Sequence, residues 1–206
     1  MVSKIDVAWD LFLEGKTSEA KKLVEQDFSI DTCTDFSLLN LMGYLLLAEK
    51  DYASCTRIFE KYILLAQQNE DKEHEHIGLH QLAMIYRDQG DFHKALKLIE
   101  DEEKIIEEHF PNDNLKKAIN NYEQGYVRLK LNNLDEALTF MNLSLEQSLE
   151  TDDVISQACS YRGLGEIYLA LEDKGLANTH FKRAIELFES VDESEGIKEI
   201  EGLRNI

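Results

Sequence analysis

Three histidines crowd the stretch EHEHIGLH, at His74, His76 and His80. His76 and His80 stand four apart, on one face of any helix, where two imidazoles and a third ligand could hold a metal. The metalloprotease order HExxH is not completed, because Gly78 occupies the place of its second histidine. A histidine pair without metal is therefore the expectation, and no metal or other cofactor is implied. Cys33, Cys55 and Cys159 are odd in number, far apart and without CxxC or zinc spacing, which suits reduced thiols in the cytoplasm. The acidic run Asp101, Glu102, Glu103, Glu107 and Glu108 reads as a solvated helix face. Neither a Gly-rich phosphate loop nor a nucleophile elbow nor a paired-acid motif is present, so the chain is not expected to be an enzyme.

The elements that must carry these side chains are helices. One proline, Pro111, occurs in 206 residues, and proline is the residue that interrupts helix interiors. Apolar residues make up 43% of the chain, enough for a continuous core. The formal charge of −19 disfavours nucleic acid and anionic membranes as partners, since both need clustered Lys and Arg. It would attract a basic partner. The opening MVSKIDVAWDLFLEG lacks the basic start and long apolar run of a signal peptide. No stretch approaches 18 consecutive apolar residues, so no membrane span is expected. The cytoplasm is the expected location.

A repeat organises the helices. Five times a small residue is followed twelve positions later by another: Ala8 and Ala20, Gly43 and Cys55, Ala83 and Ala95, Gly125 and Ala137, Gly165 and Ala177. Their second members lie 35, 40, 42 and 40 residues apart, and a fixed period in this range marks stacked units. The third unit is the clearest. Leu79, Leu82, Ala83 and Tyr86 share one helix face; Gly90 stops the helix; Asp91 can cap the next; Ala95, Leu98 and Ile99 form the returning face. Small residues at the paired positions let the two helices approach.

The segments LAMIYRDQGDFHKAL and LGEIYLALEDKGLA resemble the tetratricopeptide repeat, and the resemblance covers nearly the whole chain. It implies an all-α fold, a right-handed α-solenoid of about five helix-turn-helix repeats plus a short C-terminal capping helix. The repeats are placed at 2–30, 35–68, 74–109, 114–149 and 153–190, with the cap at 193–206, in a single domain over 1–206. The period exceeds the family's usual length of about 34 residues, so longer helices are expected, with longer joints at Asp71–His76 and Phe110–Asn114. In the fourth unit Asn121, Gln124 and Arg128 fill slots that are apolar elsewhere, while Leu115, Ala118, Tyr122, Tyr126 and Leu129 make the apolar stripe. That helix is either rotated or unusually apolar on its groove side.

In such stacks the first (A) helices line a concave groove. The resemblance places there the residues three before and one or four after each small A-helix residue. These are Asn40 and Tyr44; His80, Met84 and Arg87; Tyr122 and Tyr126; Arg162 and Glu166. Asn can pair with a peptide backbone, Tyr adds rigid area with a polar tip, and Arg can grip a carboxylate. The basic clamp that some family members use on chaperone C-termini is not expected, since Ile5 and Trp9 occupy its first slots. The leading function is a protein- or peptide-binding module. Long repeats of this kind are also similar to the sensor halves of bacterial peptide-pheromone receptors, although those carry an N-terminal effector domain and here repeats begin at residue 1. That likeness makes a signalling-peptide sensor one version of this function, with Asn40, Tyr44, His80 and Arg87 as peptide contacts. The alternative is a homodimeric scaffold. Helix 1 turns Val7, Ala8 and Leu11 inward and leaves Val2, Ile5, Trp9, Phe12 and Leu13 as an apolar face that something should cover. At the other end Ile197, Ile200, Leu203 and Ile206 form the capping stripe.

Overall fold

The computed structural model describes residues 3–204, so Val2 of the apolar face and Ile206 of the capping stripe lie outside the described residues. Among those described, the chain is eleven α-helices without a strand. They pair as α1 (Lys4–Leu13) with α2 (Thr17–Val24), α3 (Phe36–Ala48) with α4 (Tyr52–Gln68), and α5 (Lys72–Asp88) with α6 (Phe92–His109). α7 (Asn114–Lys130) pairs with α8 (Leu134–Leu149) and α9 (Val154–Ala170) with α10 (Lys174–Ser190); α11 (Ser194–Arg204) closes the series.

The same local chemistry ends each A helix. At every A-to-B turn one residue is left-handed: Gly15, Lys50, Gly90, Asn132 and Glu172 all have φ between 60° and 79°. The following amide then reaches back to a carbonyl in the last helical turn, as Asp51 N–H does to Leu46 at 3.0 Å and Asp173 N–H to Tyr168 at 2.9 Å. This closure satisfies carbonyls that the helix end leaves open. The same aspartates then cap the next helix, Asp51 accepting from Ser54 N–H and Asp173 from Leu176 N–H. Asp71 caps α5 in this way, so Lys72–His76 is helical rather than a joint. The linker after α6 is real, however, and holds Pro111 where no helical N–H is needed. The extra residues of the longer periods go into helix length, α4 to α10 each having 16 to 18 residues.

The chain forms two compact units, Met1–Leu98 and Ile99–Ile206. In the first, Leu39, Leu41, Leu45, Ile58, Phe59 and Tyr62 centre the core. Gly43 is small because Phe59 lies flat on it: a Cβ there would meet the ring at 2.5 Å. Cys55 is fully buried and its thiol donates to the Gly43 carbonyl at 3.4 Å. In the second unit Gly165 lies as close to Phe181, and Gly125 rests on Ala137 and Met141. The fourth A helix therefore keeps the register of the others and is not rotated. Its polar residues Asn121, Gln124 and Arg128 are buried in that register. One expectation for α1 is corrected: Val7 is 41% exposed, because only Ala8 sits squarely against the neighbouring helix.

Candidate functional site

On the first unit, like positions of successive A helices touch. Trp9 and Tyr44 each follow a small residue directly, and their rings meet edge-on at 5.9 Å. Phe12 stacks on Tyr44 at 5.9 Å and packs against Trp9 at the same distance. The Trp9 indole N–H donates to the Ser37 hydroxyl at 2.9 Å. Gln81 on α5 donates its amide to the Tyr44 hydroxyl at 2.9 Å, and burial raises the tyrosine's pKa. Trp9 and Phe12 are thus half-buried members of the Tyr44 surface, not part of a separate outward face; Ile5 is half-buried too. Leu13 alone of the described members of that face stands well clear, at 77% exposure.

Asn40 lies one turn before Tyr44. Its Oδ1 is shut off from solvent and has no hydrogen-bond partner, an arrangement that costs about 1–3 kcal/mol when left unmet. His80, Met84 and Arg87 run along α5 at helical spacing and are half-buried. Gln81 beside them was not among the expected residues, since it stands two before Ala83 rather than three.

On the second unit the expected residues bind one another. Arg162 donates to the Tyr122 hydroxyl at 2.5 Å and to the Glu199 carboxylate of α11. Its Nε lies 3.8 Å from Glu166, which also faces Lys130 at 3.6 Å. Tyr122 and Tyr126 stack at 6.2 Å, and Lys130 sits over the Tyr126 ring at 4.6 Å. Desolvation pushes the Tyr122 hydroxyl pKa well up. Glu199 was missed because α11 was read as a cap. It stands three before Gly202 and so occupies the slot that Tyr122 and Arg162 hold in their helices.

The remaining motifs have structural partners. His74 bonds Asp71 at 2.7 Å and stacks on Phe36 at 3.9 Å, while His76 is buried and 3.6 Å from Glu73. Among the described residues no group of three or more His, Cys, Asp or Glu is placed to hold a metal ion. The acidic run of α6 is not wholly solvated: Glu102 is buried and accepts from the Asn120 amide at 3.1 Å. This pairing exists because the facing slots of α7 are amides, through which Gln124 reaches Asn120 at 3.0 Å and Arg128 reaches Gln124 at 2.8 Å. Arg128 also pairs with Glu100 at 3.1 Å and Glu136 at 3.0 Å. Among the described residues no helix is long and apolar enough to cross a membrane.

Comparison with known proteins agrees with this architecture. Two family profiles, both described as tetratricopeptide repeat, match residues 117–190 and 78–101. No curated protein sequence matches the chain. Among solved structures, BtubC (BKLC) from P. vanneervenii has a TM-score of 0.74 at 16% identity, covering 92% of this chain and 80% of that one. A kinesin light chain with nearly identical TPR-like repeats from Podosopora anserina has a TM-score of 0.71 at 16% identity, covering 92% and 94%. MamA AMB-1 has a TM-score of 0.62 at 20% identity, covering 92% and 99%. At such identities the likeness is one of fold, a stack of paired helices. The five helix pairs with their closing helix, their common turn chemistry and the two profile matches place this chain among the tetratricopeptide-repeat proteins, a family that builds protein–protein interaction scaffolds.

Proposed function

We propose that the chain is a non-catalytic module that holds an extended peptide segment of a protein partner against the A-helix face of its first unit. The observation that carries this reading is the Asn40 carbonyl, closed off from water and unmatched, one turn from the Trp9–Phe12–Tyr44 rings. A peptide N–H is the donor that such an acceptor lacks, and the rings supply flat apolar area for an adjoining side chain. His80, Met84 and Arg87 would continue the contact along α5. Tyr122, Tyr126, Arg162 and Glu166 contribute less, because their polar groups already serve one another. The three cysteines are free, and burial raises the Cys55 pKa to about 11, which suits a packed thiol in a reducing cytoplasm.

Trp9, the single tryptophan of the chain, reports directly on this surface. Peptides selected from a random library should change its emission on titration. Tyr44→Ala and Asn40→Leu should each weaken them by about tenfold or more, the scale of one lost anchor, while Tyr122→Ala should not. Binding indifferent to the first two variants would refute the reading. A free signalling peptide and a segment of a larger protein both satisfy it, and the length of the selected sequence separates them.

A second reading, self-association through α1, rests on Leu13 and Val7, which stand in solvent. Light scattering should then give twice the chain mass, with Leu13→Glu restoring the monomer. A monomer at about 100 μM, a hundredfold above a micromolar Kd, would remove it.

A further inference from the structure

Helices α6, α7 and α8 enclose a cavity of about 250 Å³ lined by Glu103, Ile106, Glu107, Lys117, Asn121 and Gln147, with Asn120 at its wall. We propose that this cavity seats one organic cation, an ammonium or guanidinium group.

Its size comes first. Drug-sized ligands occupy roughly 300–1,000 Å³ and a water about 30 Å³, so the space fits a side-chain-sized group. The wall then decides the chemistry. Its amide donors are engaged within the protein: Asn120 Nδ2 donates to the Ile99 carbonyl and Glu102, and Asn121 Nδ2 donates to Gln147 Oε1 at 2.8 Å. The Lys117 ammonium donates to the Pro111 carbonyl. The carboxylates of Glu103 and Glu107 remain as acceptors without a printed cationic mate of their own, and Ile106 offers apolar contact to a methylene stem. Burial pushes the Glu103 carboxyl above the usual carboxylate range, with Glu107 and Glu100 adding to the rise. An entering cation reverses that desolvation cost, since charge-assisted hydrogen bonds are strongest in partly buried sites. An ammonium or guanidinium brings three to five N–H donors and a single charge, which matches two carboxylates and a ring of amides. The net charge of −19 draws cations toward the protein at long range.

A further observation is independent of the cavity. Asn120, Asn121, Gln124 and Arg128 are all buried on α7, although the matching slots of the other units are apolar and suffice for packing. The polar wall is therefore not a requirement of the repeat. The seat lies wholly within the second unit and does not depend on the peptide reading of the first.

The test uses the full chain and two probes, methylguanidine and the peptide acetyl-Gly-Arg-Gly-amide, followed by the side-chain amide resonances of Asn121 and Gln147. The expected result is saturable shifts that Glu103→Gln weakens by about tenfold or more, the scale of a lost charged hydrogen bond, while exposed Glu189→Gln leaves them unchanged. Circular dichroism checks that each variant is folded, and Glu107→Gln decides the matter if Glu103→Gln is not. Tighter binding of the peptide assigns the seat to an arginine of a protein partner; tighter binding of methylguanidine assigns it to a small free cation. No saturation by either probe up to about 10 mM, well beyond a millimolar Kd, overturns the proposal, as does equal weakening by Glu103→Gln and Glu189→Gln.

Discussion

Glu172 and Lys50 hold left-handed backbone at φ 63° and 60°, in the turn position where two other repeats place glycine. A side chain there crowds the carbonyl at roughly 1–2 kcal/mol, offset in part by the entropy that glycine adds to the unfolded chain. Glu172→Gly should therefore raise stability by up to about 1 kcal/mol, read as a shift of the urea midpoint at constant slope. An unchanged or lower midpoint would mean the turn is not strained. The reverse substitution, Gly90→Ala, should lower it. This turn was legible in the sequence only where the residue is glycine, at Gly15 and Gly90. The Lys50, Asn132 and Glu172 turns carry no such mark, and the flanking helices force the same conformation on them. Asn40 and Tyr44 could be placed on the A-helix face by spacing, but the unmatched state of the Asn40 carbonyl could not. It depends on what the neighbouring helices fail to offer.

Among the elements, α7 departs furthest from the common pattern. Arg128 is 7% exposed and joins Glu100, Glu136 and the side chain and backbone of Gln124, with its guanidinium 4.1 Å above Phe140. The two carboxylates can turn to water, but Gln124 is fully buried and cannot. Arg128→Met keeps the packing and removes the donors, and should cost about 1–3 kcal/mol, the penalty of an orphaned buried acceptor. Hydrogen exchange should place the loss of protection on α7 and α8, and a uniform loss or none would count against this account. Periodicity alone left two options for α7, rotation or a changed face. Gly125 against Ala137 and Met141 decides for the unrotated helix, because a Cβ-free contact tolerates no turn of the helix while side chains can be exchanged around it. Helix α1 shows the same limit: its apolar residues were legible, their division between the Tyr44 surface and solvent was not.

At the scale of the whole molecule, acid is the most telling perturbation. Hydrogen bonds from Ser54 hold the Asp51 carboxyl below its usual range, the His74 amide does so for Asp71, and Lys94 for Asp91. Their folded pKa values lie below the unfolded ones, so the stability they give is complete above the ordinary carboxylate value of about 3.9 and drains as pH falls through the folded values. Glu103 is shifted upward and acts with the opposite sign, giving stability at low pH that is lost as pH rises. Replacing Asp51, Asp71 and Asp91 together by Asn keeps cap acceptors but removes their titration. The fall in melting temperature between pH 5 and about pH 2.5 should then be smaller than in the native chain, the range spanning the ordinary carboxylate pKa; an equal fall would show that the caps do not govern acid stability. The sequence by itself determined that this chain is helical, that its helices pair around small residues twelve apart, and that the pairs stack, because these follow from spacing and from the volume of single side chains. Only the tertiary structure decided which polar groups meet partners: that Arg162 is held by Tyr122 and Glu199, that Asn40 is left unmatched, and that α6 and α7 leave a polar cavity between them. Hydrogen bonding between distant helices depends on ångström-scale distances and directions, and a repeat period fixes which residues share a face without fixing those.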